Sequence, residues 1–308
     1  MSGIGIITNP HSKLNKRNPS RTALLGYILG AKGQLEVTSS IEDLGRVARE
    51  FKDQSISLLA INGGDGTICR TLTAFLNEYG ESPLPQVVLL RGGTINVLAN
   101  NLGIKGTPEQ VLYRLVEAHS AGIELPTRRL STLLVEGTYG FLFGNGVATT
   151  FLKEYYKRKS GPVGAAFWVL AVWASRFFGS GLYDRVVHDQ ALGLTPDGGD
   201  RFDQRTCALF CSTVEKMPLG YHMFPQLRAR KDCFQCVSFT FAAKDAVWQL
   251  PVAMIKKEGT AGKMGFCARE LVIEAEAPFD YTLDGELYLS ASSRLHVGMG
   301  PDIEFVTI

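Results

Sequence analysis

Residues 56 to 76 hold the pattern that most restricts this chain. Ile56, Leu58, Leu59, Ala60 and Ile61 make a short apolar run of strand length, followed at once by Asn62-Gly63-Gly64-Asp65-Gly66. Thr67 through Leu76 then reads as helix, with Ile68, Leu72, Phe75 and Leu76 on one face. A glycine-rich turn from strand into helix brings backbone N–H groups close to an anion at the helix N-terminus, where the dipole favours negative charge. A carboxylate there would repel a bare phosphate. Asp65 therefore suits a site where it holds Mg²⁺ or takes a proton from an attacking hydroxyl, and the expectation is nucleotide phosphate chemistry.

The flanking chain repeats this grammar. Ile4 to Thr8 reads as a first strand closed by Asn9-Pro10-His11-Ser12-Lys13. Asn18 is expected to cap a helix with Pro19 at its first position. Leu35 to Thr38 is a second strand, and Ser40-Ile41-Glu42-Asp43 opens a helix with a capping-box pattern and a stripe of Leu44, Val47, Ala48 and Phe51. A fourth strand, Val87 to Leu90, enters a second glycine-rich junction, Arg91-Gly92-Gly93-Thr94-Ile95-Asn96. Thr107-Pro108-Glu109-Gln110 caps a further helix ending near His119. Such alternation predicts an α/β domain over residues 1–125, with a parallel sheet and helices on both faces. Ligands of open α/β sheets bind outside the carboxyl ends of the strands, so the three junctions are expected to converge.

After about residue 125 the alternation stops. Leu130 to Val135, Phe141 to Phe143, Ala208 to Ser212, Cys236 to Ala242, Leu271 to Ala275, Leu287 to Ser290 and Ile303 to Thr307 read as short strands, with Thr195 to Asp200 the clearest turn. Residues 126–308 are thus expected to form an all-β, mostly antiparallel domain, its last strand free to return to the first. One apolar helix, about Gly164 to Phe178, interrupts it.

Several function classes are excluded. A net charge of +2 gives no basis for nucleic-acid binding. The N-terminus lacks the basic start of a signal peptide, and the longest apolar run, Val163 to Ser175, is short of the ~20 residues of a membrane span. Cys233 and Cys236 form a CxxC, but no second pair or neighbouring histidines complete a zinc site. The six unpatterned cysteines suggest reduced thiols and a cytoplasmic protein. The P-loop, Gly-x-Gly-x-x-Gly, protein-kinase and Gly-x-Ser-x-Gly signatures are all missing.

Two further pieces carry candidate chemistry. Asn9, Pro10 and Ser12 could bind a phosphate edge, with Lys13, Lys16, Arg17 and Arg21 nearby for polyphosphate charge; a plain Asn-Pro turn and a solvated basic loop are the competing readings. Asp284-Gly285-Glu286 places two carboxylates at i and i+2. In an extended segment both would project to one face, one for metal or orientation and one for proton abstraction. The competing reading is an Asp-Gly β-turn beside a surface glutamate.

Taken together, Asn9-Pro10-x-Ser12, Gly63-Gly64-Asp65-Gly66-Thr67, Gly93-Thr94-x-Asn96 and Asp284-Gly285-Glu286, in this order, closely resemble the diacylglycerol kinase and sphingosine kinase catalytic-domain family, and particularly its bacterial lipid kinases. The likeness spans nearly the whole chain and is strongest over residues 1–104. It implies an α/β nucleotide-binding half, a β-sandwich half and an active site in the cleft between. It further implies ATP held by Asn9, Pro10, Ser12, Thr38, Gly63, Gly64, Asp65, Gly66, Thr67, Gly93, Thr94 and Asn96, and Mg²⁺ organised by Asp65. Glu286 is the leading proton acceptor, supported by Asp284. The implied reaction is transfer of the γ-phosphate to a lipid hydroxyl, as in diacylglycerol, at a membrane surface. The protein would be cytoplasmic or peripheral on the inner face of the membrane, and a homo-oligomer is left open.

The chain departs from the family pattern at several positions. Lys13 stands where the first motif usually continues with Gly. Val97 and Asn100 replace an acidic and a basic residue of the third motif, so any ion pair between them is absent. Asp232-Cys233 replaces an Asp-Gly that can hold a structural metal. The apolar stretch Phe167 to Phe178, flanked by Lys153, Lys157, Arg158 and Lys159, reads as a buried helix or as a lipid-facing surface. The alternatives are a kinase of a soluble substrate resembling NAD kinases, which share the Gly-Gly-Asp-Gly turn, or a catalytically inactive lipid- or nucleotide-binding module.

Overall fold

Ile4–Thr8 (β1) is buried at every position, as a parallel strand covered on both faces must be. The chain was analysed as a computed structural model that describes residues 3–158, 171–172, 174–175, 181–217, 222–239 and 263–308. It divides into two units, Met1–Thr132 with Gly137–Tyr139 and Pro301–Ile308, and Leu133–Glu136 with Gly140–Gly300.

In the first unit, β1 is followed by the short helices Lys13–Arg17 (α1) and Arg21–Leu29 (α2), strand Gly33–Val37 (β2) and helix Ile41–Asp53 (α3). Strand Leu58–Asn62 (β3) then feeds helix Asp65–Tyr79 (α4), strand Gln86–Leu89 (β4), and helices Val97–Asn101 (α5) and Pro108–Ser120 (α6). The strand order is β2-β1-β3-β4, all parallel. Phe305 adds the end of the last strand beside Val87 of β4, also parallel. The chain turns one way from β1 to β2 and the other way to β3, so the switch point lies between β1 and β3. That is where a doubly wound sheet opens at its carboxyl edge.

Local signals placed most of these helices. Ser40 and Asp43 form the expected capping box on α3, whose buried residues are Leu44, Val47, Ala48 and Phe51. Thr107 and Gln110 form another on α6. Phe51 meets Phe75 of α4 edge to face, ring centroids 6.1 Å apart, a geometry suited to aromatic quadrupoles. The start expected at Asn18-Pro19 is different: Asn18 ends α1, and α2 begins after Ser20. The Asn18 carbonyl accepts from the Arg21 N–H at 3.1 Å and its side chain accepts from Ser20 Oγ at 2.7 Å, so Asn18 closes a turn instead. Helix α4 also starts two residues before the expected Thr67, at Asp65.

The second unit is antiparallel β, as the change of grammar predicts. Strand Thr127–Val135 (β5) runs into it, followed by Thr138–Gly140 (β6) and Leu142–Gly146 (β7). Helix Val147–Arg158 (α7) follows, then strands Gln190–Pro196 (β8), Phe202–Thr206 (β9) and Ala208–Ser212 (β10). Next come Phe234–Phe239 (β11), Lys263–Ala268 (β12), Glu270–Glu274 (β13), Asp280–Leu283 (β14), Glu286–Leu289 (β15) and Arg294–Val306 (β16). One sheet has the order β12-β11-β10-β7-β14-β15; β13 pairs with the first part of β16 on one side and with β8 on the other, with β9 beyond. Phe143, Tyr281 and Tyr288 stack across β7, β14 and β15, centroids 5.7 and 5.3 Å apart.

Cys236 sits opposite Cys211 on neighbouring strands, the two buried thiols 3.3 Å apart, and burial pushes the Cys236 thiol well above its usual range. Among the described residues no helix is long and apolar enough to cross a membrane. The expected helix Gly164 to Phe178 lies mostly outside the described residues, as do Lys159 and the end of the strand expected to reach Ala242.

Candidate active site

Three loops leave the carboxyl ends of β1, β3 and β4; side-chain amides join the first two, and the Ser12 hydroxyl reaches the third. The Asn9 N–H donates to the Asn62 carbonyl at 3.1 Å, and Asn9 Nδ2 donates to Thr67 Oγ1 at 2.9 Å. Asn9 Oδ1 accepts from the His11 N–H at 2.8 Å, an Asx-turn closed around Pro10. Asn15 of α1 donates to the Asn9 carbonyl at 2.8 Å, and Asn62 Nδ2 donates to Asn15 Oδ1 at 3.3 Å. Ser12 Oγ reaches the Gly92 carbonyl at 3.3 Å, while the buried Thr38 N–H donates to the Thr8 carbonyl at 3.1 Å.

The sequence reading missed Asn15 and Asn62, both buried. An asparagine ending an apolar strand was the available signal, because a buried amide needs partners.

The glycines serve the contact between loops. A Cβ on Gly92 would lie 2.7 Å from the Gly63 nitrogen, and one on Gly93 would lie 2.4 Å from the Gly64 Cα. Asn96 closes the Arg91–Asn96 loop from a left-handed backbone, φ 52°. Its Oδ1 accepts from the Gly93 N–H at 3.1 Å and its Nδ2 donates to the Gly93 carbonyl at 2.9 Å. Thr94 is exposed at the loop tip. Asn100 Oδ1 accepts from Arg91 at 2.9 Å.

Asp65 is the first residue of α4, and its Oδ1 accepts from the Leu98 N–H of α5 at 3.3 Å. Burial pushes its carboxyl above the usual range, against backbone N–H groups of Val97, Leu98, Asp65 and Asn96 that lower it. A half-buried carboxylate that has no cation beside it among the described residues suits a divalent metal. Among the described residues no three His, Cys, Asp or Glu side chains cluster as a metal cage. Mg²⁺ held by one carboxylate plus phosphates and water needs none. Thr8 Oγ1 and Asn62 Oδ1 are buried without hydrogen-bond partners at the same strand ends, and no side chain caps the N-terminus of α4. The Thr8 hydroxyl and the free N–H groups of the α4 N-terminus can donate to a nucleotide phosphate, whereas Asn62 Oδ1, an acceptor, suits a donor or a cation.

Asp284 and Glu286 are not two carboxylates of one extended segment. Leu283 pairs with Glu286, so Asp284 and Gly285 are the two central residues of a hairpin turn, φ 50° and 87°, the type I′ geometry that Asp-Gly favours. The Asp284 carboxylate turns back onto β7, accepting from the N–H groups of Phe141 at 3.0 Å and Leu142 at 2.9 Å. Glu286 opens β15, half-buried, on the sheet face that carries Leu283, Tyr281 and Tyr288.

Residues 4–126 match the family model described as diacylglycerol kinase catalytic domain. This segment is similar to that family's catalytic domain. Solved structures share the whole fold at low identity. A candidate diacylglycerol kinase from Bacillus anthracis str. Sterne matches with a TM-score of 0.72 and 15% identity, over 100% of this chain and 98% of that one. A diacylglycerol kinase from the same source matches at 0.68 and 12%, over 100% and 97%. Yeast NADH kinase complexed with NADH matches at 0.50 and 12%, over 100% and 84%. No curated protein matches the chain. The fold of the chain is thus shared with these solved structures, and residues 4–126 carry the similarity to the diacylglycerol kinase catalytic domain.

Proposed function

We propose that the protein is an ATP- and Mg²⁺-dependent lipid kinase that phosphorylates the hydroxyl of diacylglycerol or a related long-chain lipid at a membrane surface. The observation that carries this reading is the hydrogen-bonded junction of three strand-end loops with Asp65 beside it, within a segment that matches the diacylglycerol kinase catalytic domain.

In this reading Asn9, Pro10, Ser12, Thr38, Gly63, Gly64, Gly66, Thr67, Gly93 and Thr94 shape the nucleotide site. The α4 N-terminus supplies N–H donors to phosphate. Asn96 and the Asn9 amide hold the loops, their side chains being engaged within them. Asp65 is the residue that would hold Mg²⁺, whose chemistry is to neutralise charge on the transferring phosphoryl group. Glu286 accepts the proton of the lipid hydroxyl, and Asp284 supports it. Orientation and charge neutralisation supply most of the acceleration.

Transfer from labelled ATP to diacylglycerol, monoacylglycerol, sphingosine, ceramide, phosphatidylglycerol and NAD tests the reading. Transfer to a lipid and not to NAD supports it; transfer to NAD alone overturns it. Asp65→Asn and Glu286→Gln should each lower kcat by about 100-fold or more while the fold persists. Near-normal turnover of Glu286→Gln would remove that residue as the base.

A further inference from the structure

The hairpin turn at Asp284 has a twin. Asp197 and Gly198, at the end of β8, have φ 50° and 67°, against 50° and 87° for Asp284 and Gly285. The Asp197 N–H donates to the Glu270 carbonyl at 2.9 Å, and the Asp284 N–H donates to the Leu142 carbonyl at 2.9 Å. Asp197 Oδ1 accepts from the N–H groups of Arg269 and Glu270 at 2.7 and 2.9 Å. Asp284 Oδ1 accepts from those of Phe141 and Leu142 at 3.2 and 2.9 Å. In both copies the residue before the aspartate pairs with the second residue of the latched strand, Pro196 with Leu271 and Leu283 with Phe143.

The copies lie on different sheets, and nothing in the family pattern touches Asp197. The arrangement is thus a strand-end latch that this chain builds for structural reasons. Among the described residues the Asp284 copy has further contacts. The Tyr156 hydroxyl donates to the Gly285 carbonyl at 2.6 Å, and a Cβ on Gly140 would come within 2.8 Å of Asp284 Oδ2. Glu286 is the next residue.

We infer that Asp284 is a positioning residue: its carboxylate latches the hairpin onto β7 so that Glu286 is held in place, and its charge is not consumed by metal or proton. The inference rests on the reading of Glu286 as the proton acceptor. Asparagine tolerates a left-handed backbone and keeps Oδ1 as acceptor for the Phe141 and Leu142 N–H groups, so it keeps the core of the latch while it removes the charge and the second bond from Phe141 to Oδ2.

The test compares kcat, KM for diacylglycerol and Tm of the full chain for Asp284→Asn, Asp284→Ala, Glu286→Gln and Asp197→Ala. Asp197→Ala and Asp284→Ala should both lower Tm, by about 2–6 °C. Asp197→Ala should keep kcat within about twofold of wild type. Asp284→Ala should lose kcat about 10- to 100-fold with KM little changed. Asp284→Asn should recover to within about tenfold of wild type, well above Glu286→Gln. An Asp284→Asn variant with wild-type Tm and the activity of Glu286→Gln would overturn the inference, since the latch would have held and the charge been lost. So would an Asp284→Ala variant with unchanged Tm. Near-normal activity of Glu286→Gln would instead overturn the reading beneath it, and the paired Tm losses would still establish the latch. If Asp284→Ala does not fold, the Asp284→Asn comparison alone decides.

Discussion

Asn9 donates through Nδ2 to Thr67 Oγ1 across 2.9 Å, joining the loop after β1 to the first turn of α4. These residues are 58 apart in sequence, yet each belongs to a short motif that reads separately as a phosphate loop. The bond makes one object of two motifs, and it fixes the turn that presents Asp65. Thr67→Val keeps the shape and removes the acceptor. Stability should fall by about 1 kcal/mol, the net value of one such bond, measured as a shift in urea midpoint. KM for ATP should rise with it. An unchanged midpoint would show that water replaces the hydroxyl.

Loop packing and ligand approach make different demands on glycine, and substitutions separate them. Ala at 93 would set Cβ 2.4 Å from the Gly64 Cα, a backbone atom that cannot swing aside. Gly93→Ala should therefore cost about 1–3 kcal/mol, as overpacking does, and weaken ATP binding. Ala at 64 meets only the Gly93 Cα at 3.4 Å, in an extended backbone open to any residue. Gly64→Ala should leave Tm nearly unchanged, and a raised KM for ATP in that variant would report the approach of phosphate itself. If both variants lost equal stability, loop contact would not be what the glycines serve.

How far the sequence reached follows the range of the interactions involved. The capping boxes at Ser40 and Thr107 and the apolar runs of β1, β3 and β4 are local signals, and they placed the first unit. The strand expected at Ile303 to Thr307 is the end of the 13-residue strand β16, whose earlier part carries Gly298, Gly300 and Pro301 and is held by pairing with distant β13. Strands β8 and β9 have mixed polar sequences and owe their form to each other. At the site, the motifs announced themselves while Asn15 and Asn62 did not, because a buried amide gains its meaning only from its partners. Asp284 was read for its charge, whereas its conformation follows from the turn.

Arg21 of α2 and Glu109 of α6 form a partly buried pair at 2.6 Å. Burial works to raise the Glu109 carboxyl, but the Arg21 guanidinium and the hydrogen bonds from its own N–H and Thr107 bring it below its ordinary value of 4.5. A carboxyl depressed in the folded state adds stability that is present above its unfolded value and is lost as pH falls through the folded one. Wild type should therefore exceed Glu109→Gln in Tm near pH 7, and the difference should shrink as pH falls below the ordinary carboxyl value of 4.5. Melting curves across this range check it; a difference that does not change with pH would assign the contribution to packing of the stem.

Asn96 tests whether the second glycine junction is built as a contact or as a frame. Its left-handed backbone, φ 52° and ψ 52°, disfavours a Cβ-bearing residue unless the side chain bonds locally, as this amide does to both backbone groups of Gly93. Asn96→Gly loses the bonds and keeps the conformation; Asn96→Ala loses both. Tm should fall in the order wild type, Gly, Ala, the last step reflecting about 1 kcal/mol of backbone strain. Adding Mg²⁺-ATP then separates the roles. A frame that shapes the site should make the nucleotide KM track the Tm loss, so Ala is worse than Gly. A direct contact to nucleotide would be lost equally in both variants, giving the same KM at unequal Tm, and would return Asn96 to the ligand-binding set.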